Sequence, residues 1–125
     1  MIDRADAWHE RAKAGWERHA EAVTVPASVV VEVCWLLGAR AGSQAEQAFL
    51  GGIARGEWPV VALEAEDYAR AAELTGIYAD LPLGFVDASI VALAERLGAD
   101  VVLTMDRRDF SVVRPRHVER FRLEP

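Results

Sequence analysis

Three acids stand where the surrounding sequence is apolar. Glu32 interrupts the apolar run 29–37, Asp87 follows Val86 at the head of the run 88–94, and Asp106 follows the run 101–105. A carboxylate among apolar neighbours is costly unless something pairs with it. Three such groups from distant parts of the chain suggest a shared partner, most simply a divalent cation held by oxygen ligands. Two unit charges 4 Å apart repel by roughly 4 kcal/mol at an effective dielectric of 20. Without a cation, one of a cluster of carboxylates would therefore take up a proton. The chemistry this predicts is that of a metal-dependent hydrolase.

The elements that must position these acids follow from periodicity. Trp8, Ala12, Trp16 and Ala20, spaced by four, predict a helix over 6–21. Residues 23–25 read as a short strand ended by Pro26. Ser28 is the expected N-cap of a helix reaching Arg40. Gly42 breaks that helix, and Ser43 with Glu46 predicts a capping box for the next one, which ends near Gly56. A second strand is expected over 58–63. A helix follows over 65–78, with Tyr68, Ala71, Ala72 and Leu74 inward. After a turn over 80–84 comes a helix over 85–97, stopped at Gly98. Residues 101–104 read as a strand, 106–110 as a turn and 121–123 as a terminal strand. Helices alternating with short apolar strands predict an α/β fold with a mostly parallel central sheet covered by helices on both faces. In such folds ligands bind outside the carboxyl ends of the strands. Asp106 lies just past one strand end, and Glu32 and Asp87 lie on helices that open towards the same edge.

A length of 125 residues predicts one domain, 1–125, and 52% hydrophobic residues argue against disorder. No apolar stretch is long enough to span a membrane, and the polar N-terminus is not that of a secretory signal, so cytoplasm is the expected compartment. The single cysteine, Cys34, excludes an internal disulfide and reads as core. A net charge of −6 is unlike that of a nucleic-acid binder. Six of the thirteen arginines, however, fall at 107, 108, 114, 116, 120 and 122. Screening confines surface charge effects to about 10 Å at 0.1 M salt, so this basic segment is compatible with a phosphate-binding edge. A solvated surface or a contact with an acidic partner explains it equally well.

Each acid also has a structural reading. Glu32 would snorkel beside an oligomer contact. Asp87 would complement a helix dipole. Asp106 would cap a turn, and Asp109 would be a turn residue or an arginine partner. Competing chemistries fail on inventory. Lys13 is the only lysine, so there is no P-loop. His9, His19 and His117 are not spaced as metal ligands, and no nucleophile elbow is present.

Taken in order, the segments Ala5–Ala12, Val25–Val33, Asp80–Ser89 and Leu103–Phe110 resemble the motifs of PIN-domain ribonucleases, specifically VapC-type toxins of bacterial toxin–antitoxin pairs. That resemblance implies that Glu32, Asp87 and Asp106 are catalytic and bind Mg²⁺ or Mn²⁺. It gives Thr104 and Asp109 supporting roles, and it puts Arg107 and Arg108 beside the site, where their guanidinium groups suit RNA phosphates. It further implies cleavage of RNA, of the tRNA or rRNA class, a cognate antitoxin as partner, and a homodimer.

The departure from the family is at the front. Relatives open with a strand bearing an Asp-Thr-Ser-like motif whose aspartate is the first metal ligand. Here Asp3 and Asp6 stand in a polar helix start instead. The expectation is an N-terminally incomplete domain, with weakened metal affinity and exposed strand edges prone to exchange or aggregation. The alternative function is a catalytically impaired, shortened PIN-like domain that binds the antitoxin through exposed tryptophans, Trp8, Trp16 and Trp35. A phosphoacceptor signalling domain also clusters acids on an α/β sheet, but it is opposed by the lack of any lysine after residue 13.

Overall fold

The computed structural model describes residues 23–104 and 107–124; the helix expected over 6–21, Met105 and Asp106 lie outside the described residues. Among the described residues the chain forms β1 (Val25–Pro26), α1 (Ala27–Arg40), α2 (Ser43–Ala54), β2 (Val60–Val61), α3 (Ala65–Ile77), α4 (Phe85–Leu97), β3 (Val101–Leu103), α5 (Arg108–Val112) and β4 (Arg122–Glu124). The α/β expectation is met, and both strand pairings are parallel. β1 pairs with β2 through Val25 and Val60, and β3 pairs with β4 through Val102 and Leu123. The described strands form two separate two-stranded ladders, not one continuous sheet.

α4 is the axis of the core. Its buried positions Ala88, Ser89, Val91, Ala92, Leu93 and Ala94 cover a wide arc of the helix. Val91 and Ala94 pack with Ala71 and Leu74 of α3, Val102 of β3 and Phe110 of α5. Full burial of a side chain such as Val91 or Leu74 is worth about 1.5–3 kcal/mol. Phe110 meets Phe121 edge to face at 6.5 Å between ring centroids, which ties α5 to the start of β4. α4 stops where expected: Gly98 adopts φ 72°, and its amide bonds the Ala94 carbonyl.

Several local expectations are corrected. Ser28 does not cap α1. That helix starts earlier, behind an extended Pro26, and the Ser28 hydroxyl is engaged elsewhere. Ser43 lies inside α2, so the cap falls to Gly42, whose φ of 89° suits glycine. Among the described residues a capping box forms at Glu64 and Asp67, where each side chain accepts the other's backbone amide. Sequence reading passed over it because glutamate is an unusual N-cap. Tyr68 and Ala72 are exposed instead of facing inward, and Tyr68 stacks on Phe85. The turn expected at 106–110 contains the start of helix α5.

A long connection runs from α5 to β4 and is pinned by side chains. The Arg114 amide donates to the Tyr78 hydroxyl at 2.9 Å. Tyr78→Phe removes the acceptor and is expected to cost about 1 kcal/mol. A urea midpoint shift without a change in slope would show this.

Candidate metal centre

Among the described residues the candidate acids lie on α1, α4 and α5. Glu32 lies in the second turn of α1 and is exposed. The premise that it is buried among apolar side chains is therefore corrected: α1 buries no residue, and Val31 and Trp35 beside Glu32 are 72% and 71% exposed. Asp87 sits in the first turn of α4 and is half-buried. Its neighbours one turn on, Ile90 and Val91, belong to the core or pack against it, as expected. Thr104 follows β3 directly, half-buried, with its amide bonded to the Glu124 carbonyl at 2.8 Å. Asp109 is half-buried in the first turn of α5. Asp106 lies outside the described residues.

The ends of α1 and α4 are brought together by Ser28 and Ser89, whose hydroxyl oxygens are 2.7 Å apart. Sequence reading missed this pair. No local pattern announces a contact between residues 61 positions apart, and Ser28 looked like a cap.

The arginines divide into different roles. Arg107 is exposed, and its guanidinium donates to the Leu123 carbonyl at 2.9 Å, holding the residue before α5 against β4. Arg108 is exposed at the start of α5. Arg116 bonds Glu73 at 2.8 Å, and Arg122 lies 3.5 Å from Asp100. Much of the basic C-terminal segment thus serves the fold.

Two hollows were candidates for a site. A cleft of about 420 Å³ between β1, α4 and β3 is lined mainly by apolar groups such as Val25, Val29, Leu93 and Val102, and contains none of the candidate acids. An open hollow of about 500 Å³ carries Asp67, Arg70, Glu95, Arg96, Arg116 and His117. Its charges are matched: Arg70 grips Glu95 at 2.8 and 3.0 Å, and Arg96 grips Asp67 at 3.0 Å. Burial pushes the Glu95 carboxyl up, but Arg70 and the Arg116 amide outweigh it and hold it below the ordinary carboxylate range. The pairing with Glu95 in turn raises Arg70. An acid held ionised by a bidentate arginine is a poor metal ligand or proton donor, so this hollow reads as scaffold.

Among the described residues no group of three or more His, Cys, Asp or Glu side chains gathers closely enough to hold a metal ion. The donor set of Glu32 and Asp87, carboxylate oxygens only, nevertheless suits a hard cation such as Mg²⁺ or Mn²⁺. No described helix is long and apolar enough to cross a membrane.

A family model described as PIN domain matches residues 2–114. The chain is also similar to Ribonuclease VapC26 of Mycobacterium tuberculosis. The two are 35% identical over 124 residues, covering 99% of this chain and 92% of that relative.

Proposed function

The chain belongs to the PIN-domain family and is by homology a VapC-type ribonuclease toxin, and from that premise we propose that it is a divalent-metal-dependent endoribonuclease whose site is built from Glu32, Asp87 and Asp106. The observation that carries this reading is the family match across nearly the whole chain, with all three acids inside the matched residues. In this reading 1–125 acts as one PIN-type domain in the cytoplasm. Its substrate is RNA, of the tRNA or rRNA class, and a cognate antitoxin silences it.

In this reading α1 supplies Glu32, α4 supplies Asp87, and Asp106 completes the set. When bound, Mg²⁺ or Mn²⁺ supplies Lewis-acid activation of water and neutralises charge at the scissile phosphodiester. The carboxylates hold and orient that cation and keep the site negative enough to retain it. Thr104 and Asp109 support the acids from the strand end and from α5. Arg108, exposed at the start of α5, and Arg107, which also anchors the backbone of β4, suit flanking RNA phosphates. The exposed Val31 and Trp35 on α1 form an apolar strip suited to a protein partner, in a homodimer or with the antitoxin.

The test is cleavage of a structured RNA pool by the purified chain with Mn²⁺. Cleavage is expected to stop with EDTA and to be lost in Asp106→Asn. Full metal-dependent cleavage by that variant would remove Asp106 from the scheme. Antitoxin binding without cleavage by the wild type would favour a catalytically impaired PIN-like domain.

A further inference from the structure

α1 carries a candidate ligand but buries no residue. Its apolar side chains are at most half-buried, Val29 sharing a cleft with Ile90 and Leu93 of α4, and apolar contact of this kind is non-directional. The Ser28–Ser89 pair supplies direction. Ser89 is fully buried, and its hydroxyl also lies 2.6 Å from the Val86 carbonyl. A carbonyl only accepts, and a serine hydroxyl has a single proton. Ser89 therefore donates to Val86, and Ser28 donates to Ser89. This relay runs from the first turn of α1 through a buried hydroxyl to the first turn of α4. Glu32 stands one turn beyond Ser28 on the same face of α1. Asp87 lies between the two residues, Val86 and Ser89, that close the relay in α4.

We propose that Ser28 and Ser89 are positioning residues for the metal centre: their relay locks the first turns of α1 and α4 together and so sets the separation of the Glu32 and Asp87 carboxylates. The inference rests on the reading of those two acids as ligands. Mg²⁺ demands near-octahedral oxygen ligands at about 2.0–2.1 Å, so two ligands on separate helices need a fixed spacing. Neither serine touches the cation in this scheme.

Mn²⁺ titration of the full chain, with free Mn²⁺ read by EPR, tests this beside thermal unfolding in metal-free buffer. Ser28→Ala and Ser89→Ala are each expected to weaken Mn²⁺ binding about tenfold, the lower end for loss of a group that orients a ligand. The double variant is expected to be no weaker than the weaker single one, because one relay is broken either way. Ser28→Thr, which keeps the hydroxyl, is expected to bind as the wild type does. A merely structural role would lower the melting temperature and leave Mn²⁺ affinity of the folded protein unchanged; that result in Ser28→Ala overturns the proposal. If Ser89→Ala fails to fold, the half-buried Ser28 position carries the test. Glu32→Gln and Asp87→Asn are titrated alongside. Unchanged Mn²⁺ binding in both would overturn the ligand reading and the relay with it. Lost binding in them but not in Ser28→Ala would overturn the relay alone.

Discussion

Asp87→Asn is expected to lower Mg²⁺-dependent RNA cleavage by roughly 10²–10³-fold with the fold intact, since a metal contributes several kcal/mol of charge stabilisation and each 1.36 kcal/mol is tenfold in rate. The substitution keeps shape and removes one negative charge from the proposed ligand set. The helix-dipole part of its structural cost is small. A first-turn acid gains about 0.3–1 kcal/mol from the helix dipole, and asparagine is a tolerable replacement at a helix start. Glu32→Gln is expected to behave likewise, with still less effect on stability, because Glu32 is exposed on a helix that buries no residue. Single-turnover cleavage beside a thermal melt separates the two quantities. Asp87→Asn retaining more than a tenth of the wild-type rate would exclude Asp87 as a metal ligand.

Asp67→Ala is expected to be among the most destabilising single substitutions, at about 3 kcal/mol, or on the order of 10 °C in melting temperature. Asp67 is 2% exposed. Its carboxylate takes the Glu64 amide at 2.8 Å and the Arg96 guanidinium at 3.0 Å, while Arg96 also reaches the Ala62 carbonyl at 3.2 Å. One side chain thus closes the start of α3 and ties it to α4. Breaking a buried pair from one side costs about 3–5 kcal/mol, and the lower end applies because the abandoned Arg96 can turn to water. Asp67→Asn keeps an acceptor for the cap and is expected to lose about half as much.

The pH dependence has a defined sign. Burial pushes the Asp67 carboxyl up, but Arg96 and the Glu64 amide outweigh it and hold it below its ordinary value. Such a group contributes stability that is complete above the unfolded value, about 3.9 for aspartate, and is lost as pH falls through the folded one. The gap in unfolding free energy between wild type and Asp67→Asn is expected to be flat above about pH 5 and to close below about pH 4. Urea titrations across that range would show it; a gap that widened towards acid would reverse the assignment.

Periodicity and punctuation made the local elements legible. α4 spans 85–97 and ends at Gly98 as expected, because an apolar repeat and a left-handed glycine are both written in neighbouring residues. α3 and β3 were likewise found to within one residue. Capping was read less well. A hydroxyl at a helix start is only a candidate cap, and at Ser28 a distant hydroxyl competed for it and won. The acids were singled out by their contrast with apolar neighbours, a contrast that holds around Asp87 but not around the exposed Glu32. What sequence by itself determined is the family, the α/β alternation and the identity of the candidate acids, since these depend on residue type and order. Only the tertiary structure decided which hollow is scaffold, which arginines are spent on carboxylates and carbonyls, and that Ser28 meets Ser89. Those contacts join residues far apart in the chain, and their energies depend on burial and direction that arise only once the helices have packed.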